Sequence, residues 1–392
     1  MEIIYPLVAD SWGDEEIEAL DRVIKTRRFT MGEEVRAFEK EFAEKIGSKY
    51  AITANSGSSA NLIGVTALTF TRAANIEDGD EVIVPAIGWS TSYSPFYYCG
   101  KKLKLKVVDV DLATLNIDVE KLRKAISGET IAVMAINILG NPCNLFEIKN
   151  ICHGLGLWLL EDNCESLGAE IGEKKCGTWG DVGMHSFFFS HHMSTMEGGM
   201  MVTDDEEIAH LAMEIRAHGW TRDLPAGSPI YKKPENWRYE NYDFHRPGFN
   251  LRPLELEAAV GREQLKKLDK FVEQRRKNAK VFVELFDGDE RFIIQKENGR
   301  SSWFDFSVIL NPKHNIDREK VWDGLKSAGI EFRPITGGNF AQHRAAEHYD
   351  YEVVGGLPNA ALAHENGFFV GNFHFDISDK IEYFHRVLTK LV

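Results

Sequence analysis

Short apolar runs that alternate with helical stretches constrain the fold of this chain more than any other feature. The runs lie at 81–86, 105–110, 131–139, 157–161, 184–189 and 199–203. Helical patterns separate several of them, for example at 119–125 and 145–153. Continuous apolar strands divided by helices are typical of a mainly parallel sheet whose two faces are both covered. We therefore predict an α/β fold built on such a sheet.

A long helical pattern at 254–282 marks a change in the organisation of the chain. Beyond it we expect strands near 302–310 and helices near 318–328 and 377–392, which together indicate a smaller α+β unit. We predict a large domain at 1–255 and a small C-terminal domain at 256–392.

Charge and cysteine content narrow the classes of function. The chain has 392 residues and a formal net charge of -14, so its surface would repel nucleic acid and anionic lipid. No apolar run approaches the ~20 residues that a membrane helix needs. The five cysteines form no C-x-C or C-x-x-C group, so we expect neither an iron–sulfur cluster nor structural zinc. With no leader sequence recognised at the start, we expect a cytoplasmic protein without nucleic-acid or membrane partners.

Two motifs stand in the first hundred residues. The turn Gly57-Ser58-Ser59-Ala60-Asn61 opens a helical pattern, and small residues there let backbone N–H groups approach an anion. Its ordinary alternative is a serine-rich helix cap. Trp89 follows the run at 81–86, where an indole can stack on a flat heteroaromatic ring. Its alternative is a tryptophan of the core or rim.

Two further motifs follow later strands. Asp162 closes the apolar run at 157–161, and a carboxylate there needs a cationic partner unless it is only a helix cap. The stretch Ser186 to Gly199 contains adjacent histidines, His191 and His192. On a strand these two side chains would point to opposite faces, and no third ligand is nearby, so we discount a metal site.

In this order, the four motifs resemble the signature of the DegT/DnrJ/EryC1/StrS sugar aminotransferases. The resemblance extends to Phe29-Thr30-Met31-Gly32 and to Gly248-Phe249-Asn250-Leu251-Arg252-Pro253. It implies a fold-type-I enzyme that uses pyridoxal 5'-phosphate (PLP) and pyridoxamine 5'-phosphate (PMP). It also implies cofactor-binding roles for Gly57, Ser58, Trp89, Asp162, Glu165, Ser186 and Asn250.

The chain departs from the family at one decisive position. The family motif S-F-x-x-x-K-x-x-x-T-x-E-G-G carries a lysine where this chain has His191, and no lysine occurs between Lys175 and Lys232. Histidine cannot make the covalent bond to PLP that the lysine makes. Within the family this replacement resembles the nucleotide-sugar 3-dehydratases of deoxysugar pathways. The resemblance implies that His191 is the catalytic base, that L-glutamate regenerates PMP, and that the substrate is a GDP-linked 4-keto-6-deoxyhexose.

The resemblance implies further substrate contacts and a homodimer in which Asn250 reaches the partner's site. The expected substrate-binding residues are Arg27, Arg28, Phe29, Thr30, His218, Arg222, Arg252 and Glu331. For each isolated arginine, a surface ion pair is the alternative. Three other functions stay open: a sugar aminotransferase, a CDP-sugar 3-dehydrase with an external electron partner, and a catalytically silent PLP- or sugar-binding protein.

Overall fold

The computed structural model describes residues 2–234 and 236–392. The helices are α1 (Asp14–Thr26), α2 (Glu33–Ile46), α3 (Gly57–Phe70), α4 (Ser90–Tyr98), α5 (Val119–Ala125), α6 (Leu145–Leu155), α7 (Glu206–Arg216), α8 (Trp237–Glu240), α9 (Glu255–Phe286), α10 (Arg318–Ser327), α11 (Pro358–Asn366) and α12 (Ser378–Leu391). The strands are β1 (Tyr50–Ala54), β2 (Glu81–Pro85), β3 (Lys104–Val108), β4 (Thr130–Ile136), β5 (Trp158–Asp162), β6 (Glu170–Ile171), β7 (Lys174–Lys175), β8 (Val182–Ser186), β9 (Gly199–Thr203), β10 (Phe292–Ile294), β11 (Asp305–Leu310), β12 (Arg333–Pro334), β13 (Tyr351–Val353) and β14 (Gly367–Gly371).

An eight-stranded sheet forms the centre of the molecule, in the order β1-β9-β8-β5-β4-β2-β3-β13. Five of its strand pairs are parallel, and only β9 runs antiparallel to its neighbours β1 and β8. Strands β2, β5, β8 and β9 are buried along most of their length, as the continuous apolar runs predict. The α/β class with a mainly parallel sheet is therefore confirmed.

Helix α3 packs directly on this sheet and starts the functional part of the fold. It is buried on most of its surface and contacts β8, β9, α4 and α7. Ser56 caps it, because its side chain accepts a hydrogen bond from the N–H of Ser59 at 3.1 Å. The start of α3 is thereby fixed beside the carboxyl end of β8.

A second, antiparallel sheet forms after the long helix α9, in the order β10-β11-β14-β12. Helices α10 and α12 pack together beside it, and α9 contacts α1 and α2 as well as α12. The short strand β13 instead joins the large sheet beside β3. The division at 255/256 stays a prediction. No helix within 2–234 or 236–392 has the length and apolar character to cross a membrane.

The structure corrects the bounds of three of the expected strands. The strand expected at 131–139 ends at Ile136, and a 3₁₀ turn follows at Ile138–Gly140. The run at 184–189 was expected to be a strand throughout, but β8 ends at Ser186 and residues 187–198 form an irregular loop. In this loop the N–H of Phe187 donates to the carbonyl of Gly198, and the N–H of Thr195 donates to that of Phe187. Because His191 and His192 lie in this loop, strand alternation does not separate their side chains, and that prediction is wrong. The strand expected at 302–310 begins only at Asp305.

Candidate active site

A cavity of about 640 Å³ opens where the parallel strands end. Its walls come from the segments that follow β2, β4, β5 and β8, and from several parts of the C-terminal half, including Phe304 and the loop after β12. Ligand sites in open α/β sheets lie at this edge. The structure brings together seven of the predicted residues in its lining, namely Gly57, Ser58, Trp89, Asp162, Glu165, Ser186 and His191.

The start of α3 and the end of β8 meet at one end of this cavity. The first N–H groups of a helix have no partner within the helix, and the helix dipole favours an anion there. Gly57 makes the approach possible, because a Cβ at this position would lie 2.8 Å from Ser186 Oγ and 3.0 Å from Ser186 Cα. The hydroxyl of Ser58 lies 2.8 Å from that of Thr91. Backbone N–H groups and hydroxyls thus converge as a phosphate would require.

Asp162 lies at the end of β5 and is only 4% exposed. Its Oδ2 accepts hydrogen bonds from Asn61 Nδ2 at 2.9 Å and from Ser92 Oγ at 2.7 Å, and its Oδ1 accepts one from the N–H of Cys164 at 3.1 Å. These three donors are all neutral. A buried carboxylate is stable when a cation faces it, so the geometry suits a protonated ring nitrogen in the cavity.

Trp89 and Glu165 flank the position where such a ring would lie. Trp89 is 58% exposed although it lines the cavity, so its indole face is available for stacking. Glu165 accepts a hydrogen bond from the N–H of Leu139 at 3.0 Å, and burial raises the pKa of its carboxyl to about 7. A carboxyl with this pKa can share a proton with a phenolic hydroxyl near neutral pH.

His191 lies in the loop after β8 and is half-buried. Two aromatic rings meet its imidazole edge-to-face, that of Phe304 at 5.1 Å between centroids and that of Phe188 at 5.9 Å. Burial, together with the positive charge of Arg275, lowers the pKa of His191 to about 3. The imidazole is therefore neutral at physiological pH and able to accept a proton.

The remaining predicted residues lie outside this cavity, and their roles stay predictions. Asn250 is exposed, and its Oδ1 accepts a hydrogen bond from Arg252 Nε at 3.0 Å. Residues 27–30, which comprise Arg27, Arg28, Phe29 and Thr30, are exposed on and after the end of α1. Arg222 lies over the ring of Trp220, His218 lies near the same ring, and Glu331 accepts a hydrogen bond from the N–H of Leu7.

Sequence reasoning assigned no role to several residues that line the cavity, among them Asn61, Ser92, Phe304, Thr336, His343 and His364. Asn61 stands inside the turn at 57–61 and Ser92 follows Trp89 by three residues, so a count of the donors that Asp162 requires could have identified them. The others come from residues after 300. No local pattern links those residues to the cavity.

The model of the DegT/DnrJ/EryC1/StrS aminotransferase family matches residues 10–375, which include all of the cavity lining. The chain belongs to this family. Its relatives include a GDP-4-keto-6-deoxy-D-mannose 3-dehydratase of Escherichia coli O55:H7, which is 46% identical over 98% of this chain and 100% of the relative.

Two solved structures of such enzymes superpose closely on this family member. One, GDP-4-keto-6-deoxy-D-mannose-3-dehydratase of E. coli with bound hydrated PLP, has a TM-score of 0.96 at 46% identity and covers 99% of this chain and 100% of that one. The other, GDP-4-keto-6-deoxymannose-3-dehydratase with a trapped PLP–glutamate geminal diamine, has a TM-score of 0.95 at 46% identity and covers 98% of this chain and 100% of that one.

Proposed function

We propose that this family member is a PLP- and PMP-dependent 3-dehydratase that removes the C3 hydroxyl of a GDP-linked 4-keto-6-deoxyhexose. One observation carries the proposal: His191, at the position where the family motif has lysine, lines a cavity together with six of the seven expected cofactor-binding residues. The similar enzyme of E. coli has that activity by name and binds PLP. The pathway we propose is deoxysugar biosynthesis for O-antigen, with colitose as the end product.

The residues of the cavity fit this cofactor. Gly57, Ser58 and Ser186 would hold its phosphate at the start of α3, and Asp162 would keep its ring nitrogen protonated. Trp89 would cover one face of the ring, and Glu165 would lie near the ring hydroxyl. When bound, the cofactor supplies an amino group for the keto carbon of the sugar and an electron-withdrawing ring.

His191 supplies the proton transfers. Its imidazole is neutral, so it can take a proton from carbon once the substrate is in place. The charged form that results is disfavoured by burial and by Arg275, so the proton is readily passed on. The departing C3 hydroxyl needs a proton to leave as water, and the same imidazolium can supply it.

Electron balance assigns the role of L-glutamate. Conversion of a 3-hydroxy-4-keto sugar to its 3-deoxy form is a two-electron reduction that releases water. Oxidation of glutamate to 2-oxoglutarate and ammonia consumes that water and supplies the two electrons. A related solved structure holds a PLP–glutamate adduct. We therefore propose glutamate as the reductant, with no iron–sulfur cluster, and a cytoplasmic location for the enzyme.

We further propose a homodimer with shared active sites. Asn250 is exposed and lies outside its own chain's cavity, so it is free to reach that of a partner subunit. The side chains of Tyr239, Tyr242 and Phe244 are also exposed and apolar. A mixture of equal amounts of His191→Asn and Asn250→Ala chains tests this arrangement. Each mixed dimer would contain one intact site, so the mixture as a whole would regain about a quarter of wild-type activity after random exchange. A mixture that stays as inactive as its components contradicts shared sites.

The decisive experiment is incubation with PLP, L-glutamate and GDP-4-keto-6-deoxymannose, followed by mass spectrometry of the sugar and an ammonia assay. We expect a 3-deoxy-4-keto sugar and one ammonia for each sugar converted. A 4-amino sugar without ammonia would identify an aminotransferase. Turnover that needs an added iron–sulfur reductase, with a CDP-sugar, would favour the CDP-sugar 3-dehydrase. Binding of PLP without any turnover would favour the silent binding protein.

A further inference from the structure

His192 is a buried residue for which the proposed chemistry has no role. It is 1% exposed, and burial lowers the pKa of its imidazole well below the usual range. Its Nε2 lies 3.2 Å from the carbonyl oxygen of Ser302. Because a carbonyl only accepts, Nε2 must carry the hydrogen, and the neutral ring then has its lone pair on Nδ1. Within the described residues Nδ1 has no hydrogen-bond partner, so the ring is held here by the bond to Ser302.

The carbonyl of Ser302 is one of four consecutive carbonyls that accept hydrogen bonds from side chains. We call residues 301–304 the supporting segment. Arg276 Nε donates to Ser301 O at 2.8 Å, His192 Nε2 to Ser302 O, Asn372 Nδ2 to Trp303 O at 2.8 Å and Arg275 Nη1 to Phe304 O at 2.6 Å.

The backbone N–H groups of the supporting segment are fixed as well. Those of Ser302 and Phe304 donate to the carbonyls of Gly140 and Leu139 at 2.9 and 3.1 Å. A Cβ on Gly140 would lie 2.8 Å from the Cα of Trp303, so the two segments are in close contact. Residues 301–304 are therefore held by more hydrogen bonds than a loop that only leads into β11 would need.

The supporting segment ends in the ring that contacts His191. Phe304 is 6% exposed and lines the cavity, with its ring 5.1 Å from that of His191 and 5.5 Å from that of His192. The imidazole of His191 has one side-chain hydrogen-bond partner among the described residues, Ser190 Oγ, at the long distance of 3.5 Å. Its orientation therefore depends on its contacts with the rings of Phe188 and Phe304, and the Phe304 ring is the closer of these two.

We propose that His192 is a positioning residue for His191, acting through Ser302 and the ring of Phe304. Loss of the bond to Ser302 releases one of the four carbonyls of the supporting segment, and the Phe304 ring then no longer holds the His191 imidazole in one orientation. A displacement of about 1 Å at a proton-transfer group lowers a rate by up to ~100-fold. The proposal rests on His191 as the base of the proposed function, but its geometric part can be measured separately.

The test compares His192→Leu, which removes the donor, with His192→Gln, whose amide N–H can reach the position of Nε2. We expect kcat for the 3-deoxy sugar to fall at least about tenfold in His192→Leu with KM nearly unchanged, and to recover in large part in His192→Gln. His210→Leu is the matched control, because His210 is also buried but is bonded to Ser228 outside the cavity. It should leave kcat unchanged.

A second readout needs no turnover. Histidine labelled with 13C at Cε1 gives one NMR signal for each of the 13 histidines, and the signal of His191 is the one lost in His191→Asn. We expect that signal to move or broaden in His192→Leu and in Phe304→Leu, but not in His210→Leu. If His192→Leu does not fold, Phe304→Leu still tests whether the Phe304 ring orients His191, and an unchanged His191 signal in that variant contradicts the proposal.

The two levels of failure are distinguishable. If the wild-type protein forms no 3-deoxy sugar, the proposed function is wrong, while the NMR signals still decide the positioning. If the wild-type protein turns over but His192→Leu and Phe304→Leu keep both its kcat and its His191 signal, the positioning role is wrong.

Discussion

Gly57→Ala is a one-methyl perturbation of the contact between α3 and β8. The added Cβ would lie 2.8 Å from Ser186 Oγ and 3.0 Å from Ser186 Cα. Non-bonded carbon atoms prefer separations of about 3.5–4.0 Å, so the start of α3 must move away from β8 by roughly 0.5–1 Å. The nearest atoms are Cα, Cβ and Oγ of Ser186, and a new rotamer of Ser186 relieves only the contact with Oγ.

This movement separates the groups that would hold the phosphate. The backbone N–H groups of α3 lie on one side of the displaced contact and Ser186 on the other. A misplacement of about 1 Å in a preorganised site costs up to ~100-fold. We therefore expect the Kd for PMP to rise by about 30- to 100-fold, which corresponds to ~2–3 kcal/mol of binding free energy. Stability should fall by about 1–3 kcal/mol because the contact is overpacked.

Gly64→Ala is the matched control, because it overpacks the same helix away from the cavity. Its Cβ would lie 2.9 Å from Val182 Cγ1 and 3.2 Å from Met184 Sδ. Urea unfolding should show a comparable loss of stability in the two variants, whereas titration of Trp fluorescence with PMP should show weaker binding only in Gly57→Ala. Equal affinities in the two variants, or a wild-type Kd in Gly57→Ala, would refute the assignment of the phosphate site to this contact.

Three other outcomes follow from the same geometry. His191→Lys should bind PLP covalently, so that its absorbance survives dialysis, and should lose dehydration; a variant that still released ammonia and 3-deoxy sugar at the wild-type rate would remove His191 from the mechanism. Asp162→Asn keeps the shape of the side chain but removes its charge, so kcat should fall by about 100-fold or more while the fold persists in circular dichroism; near wild-type kcat would exclude a charge pair with the ring. Burial lowers the pKa of His185 to about 3, so the folded state binds fewer protons than the unfolded one below pH ~6.5, and stability is lost as the pH falls. Between pH 6.5 and 5.0 this histidine should account for about 1.6 kcal/mol of the loss, which urea titrations of His185→Gln at constant protein concentration should show as a shallower pH dependence; an unchanged slope would mean that His185 binds protons equally in the folded and unfolded states.

The large sheet could be predicted because its signal is local. Several buried strands are continuous apolar runs, and helical patterns follow some of them, as α5 follows β3 and α6 follows β4, so a mainly parallel order is implied before any contact is known. Asp162 could be located for the same reason, since it directly follows the run at 157–161. The end of β8 could not, because Phe187, Phe188 and Phe189 continue its apolar character into a loop.

The rest of the site is made by contacts between distant parts of the chain. Phe304 reaches the cavity because Arg275 and Asn372 fix the segment that carries it, and neither has a sequence relation to Phe304 that a periodicity would show. Strand β13 likewise joins the large sheet from the C-terminal part of the chain. Such pairings are decided by tertiary packing, which local propensity does not encode.

A histidine at position 191 changes what the rest of the cavity must do. A lysine at this position holds its cofactor by a covalent bond, whereas here every interaction that retains the cofactor is non-covalent. On the proposed assignment, the charge of Asp162, the close contact of Gly57 with Ser186 and the exposed face of Trp89 would supply much of the affinity. A protein that had lost its activity along with its lysine would have no need to keep the buried charge of Asp162, which is costly without a bound cation. That carboxylate and its three neutral donors are present, and the imidazole, in edge-to-face contact with two aromatic rings, is kept neutral by burial and by the charge of Arg275. The arrangement is that of a base that works with a cofactor free to leave, which a dehydration driven by glutamate requires and a transamination does not.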